Sequence, residues 1–305
     1  MTNVLVTGAA GFIGSALTTA LRTAGHTVTA LDDLSVRSPR PRPDQLIERD
    51  VRTLTPGELD GFHTVVHLAA HKSVPASFEV GGFEHNTSVD RHMLHAFAAS
   101  GAGRLLLASS CEVYGDQSGP LAESAPHQPR SPYAAGKSAT EHLADIYRPR
   151  LGLGRQIGVV RFFNTFGPWE DPDAVVPAFI DAALADRPLT IEGNGMQARD
   201  LTYIDATTAM LGRILDADRL LPVVNVGSGR ATTVLDLAHA VIRATGRGTI
   251  THAQPRPNEI TSFTADMSLF TATYGPLPPA RPLEQVLAET AHVRGLSWIP
   301  AGTGR

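Results

Sequence analysis

A glycine-rich turn near the start of the chain constrains the fold more than any other feature of this sequence. Residues 4–6 form a short apolar run typical of a buried strand, and residues 12–21 form an amphipathic stretch typical of a helix. Gly8, Gly11 and Gly14 follow the strand-like run in the spacing G-x-x-G-x-x-G. Glycines there let the backbone turn sharply and approach a pyrophosphate, whose charge the amides and the positive end of the following helix then stabilise.

A second strand-like run, residues 27–31, ends in Asp32, about 20 residues after the turn, where a carboxylate accepts both ribose hydroxyls of an adenosine. Residues 3–32 therefore predict the opening βαβ unit of a dinucleotide-binding domain. Arg37, in a stretch rich in arginine and proline, could accept the 2′-phosphate of NADP, but Asp32 would repel that phosphate. The sequence therefore favours NAD and a solvated surface loop around Arg37.

Composition narrows the class of protein. A chain of 305 residues can hold one large α/β domain and a smaller one. Its net charge of -4 gives no electrostatic case for binding nucleic acid or an anionic membrane. Cys111 is the single cysteine, which excludes an intrachain disulfide, and neither a signal sequence nor a membrane span is evident. We therefore expect a cytoplasmic protein.

Small residues follow the next strand-like run, residues 64–68. The sequence His67-Leu68-Ala69-Ala70 would let the backbone approach the middle of a dinucleotide at the carboxyl end of a strand. Earlier in the chain, Asp50 and Val51 could meet the adenine edge, although Asp is also common in turns. The scattered histidines lack a matching Cys or carboxylate cluster, so the sequence predicts no metal site.

Three polar residues follow the buried strand predicted at residues 104–109. Ser110, Cys111 and Glu112 stand there, and the period of two puts Ser110 and Glu112 on one side if the strand continues. Both could then face a ligand at the carboxyl edge of the sheet. The simpler alternatives are a hydroxyl bonded to the backbone and a solvated carboxylate.

A helix is predicted to begin near Ser131-Pro132, and on it Tyr133 and Lys137 stand four residues apart, hence on one face. A phenol that acts as a base near neutrality needs its pKa lowered by about three units, or roughly 4 kcal/mol. An ammonium one turn away, next to a cationic nicotinamide, can supply that. Taken alone, such a pair is also common on helices without a function.

The chain changes character after a last strand-like run at residues 159–163, because glycine and proline become more frequent. We place a domain boundary near 165, between a dinucleotide-binding domain at 1–165 and a substrate domain at 166–305, with some segments crossing back. In the second half Arg199 and Arg256 stand in two separate loop-like stretches. They are either surface charge or the pair of guanidinium groups that a pyrophosphate needs.

The joint pattern resembles the extended short-chain dehydrogenase/reductases that act on nucleotide sugars. It covers roughly residues 3–290 and consists of Gly8, Gly11, Gly14, Asp32, Ser110, Tyr133, Lys137, Arg161, Phe162, Phe163, Asn164, Arg199 and Asp200. Within that family the chain is most similar to UDP-glucose 4-epimerases. The resemblance implies an α/β fold, a Rossmann doubly wound parallel sheet with a smaller C-terminal α/β substrate domain. It also implies a homodimer that binds UDP- or dTDP-hexoses.

The resemblance also implies roles for single residues. Contacts to NAD would come from Gly8, Gly11, Phe12, Ile13, Gly14, Asp32, Asp50, Val51, Leu68, Ala69, Ala70, Tyr133 and Lys137. Ser110 and Tyr133 would contact the 4-hydroxyl of the sugar, with Lys137 lowering the pKa of Tyr133 and Glu112 as a further catalytic candidate. The nucleotide sugar would be bound by Lys72, Asn164, Arg199 and Arg256.

Two positions depart from the epimerase pattern. Many epimerases have Ser-Ser-Ala where this chain has Ser110-Cys111-Glu112, and a Glu at the last position is used by dTDP-glucose 4,6-dehydratases as the base at carbon 5. Those dehydratases usually have Thr at the Ser110 position and often Asp at the Cys111 position. A dehydratase, an NADPH-dependent 4-ketoreductase and a non-catalytic NAD-binding regulator stay open beside the epimerase. Asp32 disfavours the ketoreductase, and the intact Tyr133 and Lys137 disfavour the regulator.

Overall fold

A computed structural model describes residues 1–36, 41–79, 81–255 and 260–297. The strands are β1 Asn3–Thr7, β2 Thr27–Asp32, β3 Leu46–Glu48, β4 Thr64–His67, β5 Arg104–Ser110, β6 Gln156–Phe162, β7 Asn164–Phe166, β8 Leu189–Glu192, β9 Ala198–Tyr203, β10 Val224–Val226, β11 Ala231–Thr233 and β12 Ile250–Ala253. The helices are α1 Phe12–Thr23, α2 Gly82–Ala99, α3 Pro132–Tyr147, α4 Val175–Leu184, α5 Ile204–Asp216, α6 Val234–Thr245, α7 Ser268–Tyr274 and α8 Leu283–Ser297. Across the described part of the chain, none of these helices is long and apolar enough to cross a membrane.

Seven strands form one central sheet, in the order β10-β6-β5-β4-β1-β2-β3, and every neighbouring pair in it is parallel. Parallel neighbours require crossover connections, which helices α1, α2 and α3 supply. The predicted Rossmann-type α/β fold is therefore confirmed. The carboxyl ends of β1, β4 and β5 meet at one edge, where the predicted cofactor and catalytic residues follow them.

The alternation of side chains along the strands divides the core into two layers. Val4 and Val6 of β1 pack on one face of the sheet with residues of α1 and α5, such as Leu17. Leu5, between them, packs on the other face with residues of α2 and α3, such as Met93. All three β1 residues are fully buried, because both faces of the sheet are covered by helices. The continuous apolar run of β1 follows from this burial.

The second half of the chain contributes to both parts of the molecule. A three-stranded sheet, β11-β9-β7, and a two-stranded sheet, β12-β8, surround a core built from α4, α6 and α8. Strand β10, however, pairs with β6 in the central sheet, and α5 packs against α1. Residues 204–226 therefore cross back to the dinucleotide-binding half. The domain boundary near 165 stays a prediction.

Candidate functional site

The glycine-rich turn between β1 and α1 is packed too closely for side chains. Gly8 has a positive φ of 69°, and a Cβ there would lie 2.6 Å from the backbone nitrogen of Ala69. A Cβ on Gly14 would overlap the carbonyl oxygen of Gly8. Helix α1 begins after Gly11, and this N-cap residue provides no side-chain hydrogen bond to the first amides. An uncapped helix N-terminus beside close-packed backbone suits the pyrophosphate of a dinucleotide.

Asp32 lies at the end of β2 beside this turn. One carboxylate oxygen accepts a hydrogen bond from the amide of Ala10 at 2.9 Å, and the other accepts one from the amide of Leu34 at 2.8 Å. These bonds fix a negative charge at the place where the sequence predicts the adenosine ribose. The alternative ligand of a 2′-phosphate, Arg37, lies outside the described residues.

The other predicted cofactor contacts surround the same edge. Leu68 and Ala69 directly follow β4 and adjoin Gly8, as the close approach there shows. Asp50 caps the short 3-10 turn Val51–Thr53 and pairs with Arg52 at 2.7 Å, and the hydrogen bonds from Arg52 lower the pKa of Asp50. Val51 is buried in the core. Their contacts to the adenine stay predictions.

The segment after β5 differs from the strand continuation that would put Ser110 and Glu112 on one side. Strand β5 ends at Ser110, and Cys111–Tyr114 form a 3-10 turn. The reason is local: the Ser110 hydroxyl accepts the amide hydrogen of Glu112 at 3.2 Å and so caps the turn. Glu112 nevertheless stays near the phenol of Tyr133, because its charge acts on that group.

Tyr133 lies in the first turn of α3, which Ser131 caps through its hydroxyl as the sequence predicts. The Ser110 hydroxyl is near enough to the phenol to lower its pKa, so two of the predicted catalytic residues are brought together. Among the protein's own groups, burial raises the pKa of Tyr133, the Ser110 hydroxyl acts to lower it, and the charges of Glu112 and Asp90 raise it further. A lowered pKa of Tyr133 in the presence of Lys137 and a bound nicotinamide stays a prediction. The sequence by itself does not predict a role for Asp90. Its negative charge raises the pKa of Tyr133, whereas the positive charge of Lys137 is expected to lower it.

Lys137 lies one turn further along α3 and is fully buried. Its ammonium donates to Asp90 of α2 at 3.1 Å. A buried charge needs such a partner. The sequence does carry one signal for it, because Asp90 stands among the apolar Val89, Met93 and Leu94 on the buried face of α2.

Arg161, one of the residues of the family pattern, has a structural role. Its guanidinium pairs with Glu141 of α3 at 2.7 Å and lies 4.6 Å from the ring centre of Tyr114. Arg161 and Glu141 are both buried; burial acts to raise the pKa of Glu141, but hydrogen bonds from His127 and Arg161 outweigh it and lower that pKa to about 2. This pair holds α3, and with it Tyr133 and Lys137, against β6.

The predicted substrate residues come from separate elements. Arg199 lies in β9, and not in a loop as predicted; it donates to the carbonyls of Ala198 and Ile260, each at 2.9 Å. Its charge lowers the pKa of the Cys111 thiol, although burial raises that pKa far more, so Arg199 is near the catalytic turn. Asn164 begins β7 and is exposed, whereas Arg256 lies outside the described residues.

Lys72 stands opposite an unforeseen acidic group. Its ammonium lies 3.9 Å from the carboxylate of Asp171, which joins the loop after β4 to the loop after β7. Next to it, one carboxylate oxygen of Glu170 is buried without a hydrogen-bond partner among the described residues. Burial raises the pKa of Glu170 to about 8, although Lys72 and Arg294 act to lower it. Glu170 is therefore largely protonated at neutral pH.

Glu170→Gln is expected to stabilise the protein at alkaline pH. A carboxyl whose pKa is raised on folding contributes stability below its unfolded value of 4.5, and loses it as pH rises through about 8. We expect the variant's Tm to exceed that of the wild type by about 2 °C or more near pH 9, and the difference to vanish near pH 5. Asp171→Asn, which removes a half-exposed neighbouring charge that also raises the pKa of Glu170, is the comparison and should show a smaller gain of the same sign. Equal Tm values for Glu170→Gln and wild type at both pH values would contradict the burial of an ionising carboxyl.

No group of three or more His, Cys, Asp or Glu side chains within the described ranges could hold a metal ion. Most of the histidines that drew attention in the sequence have other partners. His67 bonds to Thr7 and Asp90, and His92 bonds to the carbonyl of Leu54. His71 and His85 stack on each other with their ring centres 3.8 Å apart.

Comparison with known proteins identifies the family of this chain. The model of the NAD dependent epimerase/dehydratase family matches residues 4–227. A solved structure described as a novel NAD dependent-NDP-hexosamine 5,6-dehydratase, TunA, involved in tunicamycin biosynthesis, is 37% identical over 97% of this chain and 98% of its own, with a TM-score of 0.91. The structure of MoeE5 in complex with UDP-glucuronic acid and NAD is 32% identical over 97% of this chain and 100% of its own, with a TM-score of 0.87.

Among curated sequences, the UDP-glucose 4-epimerase of Mycolicibacterium smegmatis is 35% identical over 260 residues, which are 79% of this chain and 82% of that protein. The family match extends over far more than half of the chain, and the close-packed turn with its uncapped helix fits the family's dinucleotide. The chain therefore belongs to the NAD-dependent epimerase/dehydratase family of enzymes, and its cofactor is NAD.

Proposed function

We propose that this enzyme is a nucleotide-sugar 4-epimerase. It oxidises a UDP- or dTDP-hexose at carbon 4 and reduces the resulting 4-keto sugar on its opposite face. The observation that carries the proposal is the convergence of two elements: Ser110 at the end of β5 lies near enough to the phenol of Tyr133 to act on its pKa, and Tyr133 precedes the buried ammonium of Lys137 by one turn of α3. A phenol, a hydroxyl and an ammonium so arranged can take a proton from a sugar hydroxyl and return it.

The chain's own residues would act as follows. Ser110 and Tyr133 bind the 4-hydroxyl, and Tyr133 takes its proton as carbon 4 is oxidised. Bound NAD supplies the hydride acceptor for this step and the hydride donor for the reverse step. The 4-keto sugar then rotates in the site and presents its opposite face. Tyr133 returns the proton to the oxygen of carbon 4 as that face is reduced, so that the overall reaction has no net redox change.

The groups around Tyr133 must stabilise its phenolate if it is to act as a base near neutral pH. Lowering a phenol pKa from about 10 to near neutrality requires roughly 4 kcal/mol of preferential stabilisation of the phenolate. Burial and the carboxylates of Glu112 and Asp90 act against it, and only the Ser110 hydrogen bond among the larger influences favours the phenolate. The ammonium of Lys137, together with the positive charge of the oxidised nicotinamide, would supply the rest.

The remaining substrate contacts are part of the proposal. Lys72, Asn164 and Arg199 would bind the nucleotide diphosphate sugar, with Arg256 as a second guanidinium. The proximity of Arg199 to Cys111 supports this, because it puts a cation beside the catalytic turn. The homodimer and the cytoplasmic location stay predictions.

A second candidate is a nucleotide-sugar dehydratase. Two observations favour it: the charge of Glu112 acts on Tyr133, where a base for carbon 5 would be needed, and a structurally similar protein is described as an NDP-hexosamine 5,6-dehydratase. Against it, expulsion of a hydroxyl needs a proton donor, and burial raises the pKa of the Cys111 thiol well above its usual value. Such a thiol is a weak acid.

The purified protein is expected to carry NAD or NADH. An enzyme that regenerates its cofactor in every turnover gains nothing by releasing it. Denaturing the protein and analysing the supernatant by chromatography should recover the nucleotide in close to stoichiometric amount, without any added during purification. Recovery of NADP, or of no nucleotide together with steady NADPH consumption by a 4-keto sugar, would instead favour the ketoreductase.

Epimerisation itself is tested by incubating the enzyme with UDP-glucose or UDP-galactose without added cofactor. The proposal predicts that either sugar gives the same mixture of both. Bound NAD without turnover of any nucleotide sugar would favour a regulator in place of an enzyme.

A further inference from the structure

A chain of hydrogen-bonded, buried polar side chains extends from Lys137 through Asp90 and His67 to Thr7. Asp90 accepts hydrogen bonds from the ammonium of Lys137 at 3.1 Å, from the hydroxyl of Thr140 at 2.7 Å and from the ring of His67 at 3.2 Å. His67 in turn bonds to the hydroxyl of Thr7 at 2.7 Å. All five side chains are essentially inaccessible to solvent. The mechanism above gives none of these groups except Lys137 a role.

The hydrogen bonds account for the charge of Asp90. A carboxylate only accepts, so Nε2 of His67 carries the hydrogen of the bond to Asp90. Burial acts to raise the pKa of Asp90, but Lys137 and His67 outweigh it and lower that pKa to about 2. Asp90 is therefore an anion, and both of its oxygens accept hydrogen bonds.

This anion influences Tyr133. The groups that face the phenol are Ser110, Cys111 and Glu112 from the turn after β5, and Asp90 from α2. The Ser110 hydrogen bond favours the phenolate, and the charges of Cys111, Glu112 and Asp90 disfavour it. Asp90 therefore offsets part of what the Lys137 ammonium does for Tyr133.

We propose that Asp90 is a positioning residue, which fixes the ammonium of Lys137 one helical turn from Tyr133 and whose charge sets the pH range in which Tyr133 accepts a proton. This inference rests on the proposed role of Tyr133 as the base. The line of hydrogen bonds also reaches Thr7, the residue directly before Gly8. It therefore connects the glycine-rich turn with the catalytic helix through buried groups only.

Asp90→Asn tests the proposal, because it keeps the shape of the side chain and removes its charge. Ionisation of Tyr133 is followed by the ultraviolet absorbance of phenolate in the NAD-bound enzyme, with Tyr133→Phe subtracted to remove the other tyrosines. Removing a nearby negative charge favours the phenolate, so we expect the titration midpoint of Tyr133 to fall by about one pH unit. The acid limb of the kcat/KM profile should move in the same direction. An unchanged or higher midpoint overturns the proposal.

Thr140→Val is the matched control. It removes one hydrogen bond to Asp90 but leaves every charge in place, so we expect the Tyr133 midpoint to stay within a few tenths of a pH unit. A merely structural role for Asp90 predicts a loss of stability in both variants and no shift in either. A shift as large in Thr140→Val as in Asp90→Asn would also overturn the charge-based assignment.

Asp90→Asn leaves a buried ammonium unpaired and can fail to fold. In that case Lys137→Met is compared with the double variant Lys137→Met/Asp90→Asn, which buries no unpaired charge. The proposal predicts a lower Tyr133 midpoint in the double variant, and equal midpoints overturn it. The absorbance titration needs no sugar. A failure of the proposed epimerase reaction is therefore distinguishable from a failure of this inference.

Discussion

Tyr133→Phe is expected to lose turnover by a factor of about 10² or more, the usual size of the effect of a lost general base. The variant keeps the ring and removes only the phenol hydroxyl, which lies near Ser110. The fold should survive, because the first turn of α3 is capped by Ser131 and the core contacts of the helix do not use the phenol oxygen. Bound NAD should also be retained. Initial rates with a nucleotide sugar, and the nucleotide released on denaturation, measure the two expectations.

Tyr147→Phe provides the control on the same helix. Tyr147 is the last residue of α3 and packs at the edge of the core, four turns from the site. Its loss of a hydroxyl should leave the rate within about twofold, since a surface change away from special features has a small effect. If both variants retained full activity, Tyr133 could not be the base.

The local elements of this fold are well predicted by the sequence, because each depends on neighbours along the chain. The strand, glycine turn and helix of residues 3–23 follow from apolar runs and glycine spacing. The beginning of α3 follows from Ser131, whose hydroxyl caps it, and Pro132, whose fixed φ suits a first helical residue. Both signals act over a few residues only.

The sequence does not predict which residues far apart along the chain pair with each other. Asp90 and Lys137 are 47 residues apart, and Tyr114 donates to Asn225 over a separation of 111. Strand β10 returns to the central sheet although it has only three residues. In each case the sequence shows a polar residue or a short apolar run, but only the packing of helices on the sheet decides its partner.

The 3-10 turn at Cys111–Tyr114 illustrates a competition that periodicity does not capture. The hydroxyl of Ser110 caps the 3-10 turn, and the strand therefore ends at Ser110, before it could continue as far as Glu112. The consequence is functional, because it puts a thiol of raised pKa and a carboxylate next to the proposed base. Whether water is expelled from the 4-keto sugar depends on these two groups.

The products of the wild-type enzyme are therefore expected to have the mass of the substrate. UDP- and dTDP-hexoses, uronic acids included, are incubated without added cofactor, and the products are separated and weighed by mass spectrometry. Epimerisation changes only stereochemistry, whereas dehydration removes one water. The raised pKa of Cys111 leaves the leaving hydroxyl without a strong acid, which favours constant mass.

Glu112→Gln tests whether the carboxylate of Glu112 only forms hydrogen bonds, as in an epimerase, or acts as a base at carbon 5, as in a dehydratase. In an epimerase Glu112 serves only in hydrogen bonding near Tyr133, so the amide should slow turnover by less than about tenfold, far below the 10²–10⁴ of a lost general base. Glu84→Gln, on the exposed first turn of α2, is the control and should leave the rate unchanged. A carbon-5 base, in contrast, cannot be replaced by an amide that accepts no proton. A product lighter by one water, abolished by Glu112→Gln and kept by Glu84→Gln, would make Glu112 the catalytic base and the enzyme a dehydratase.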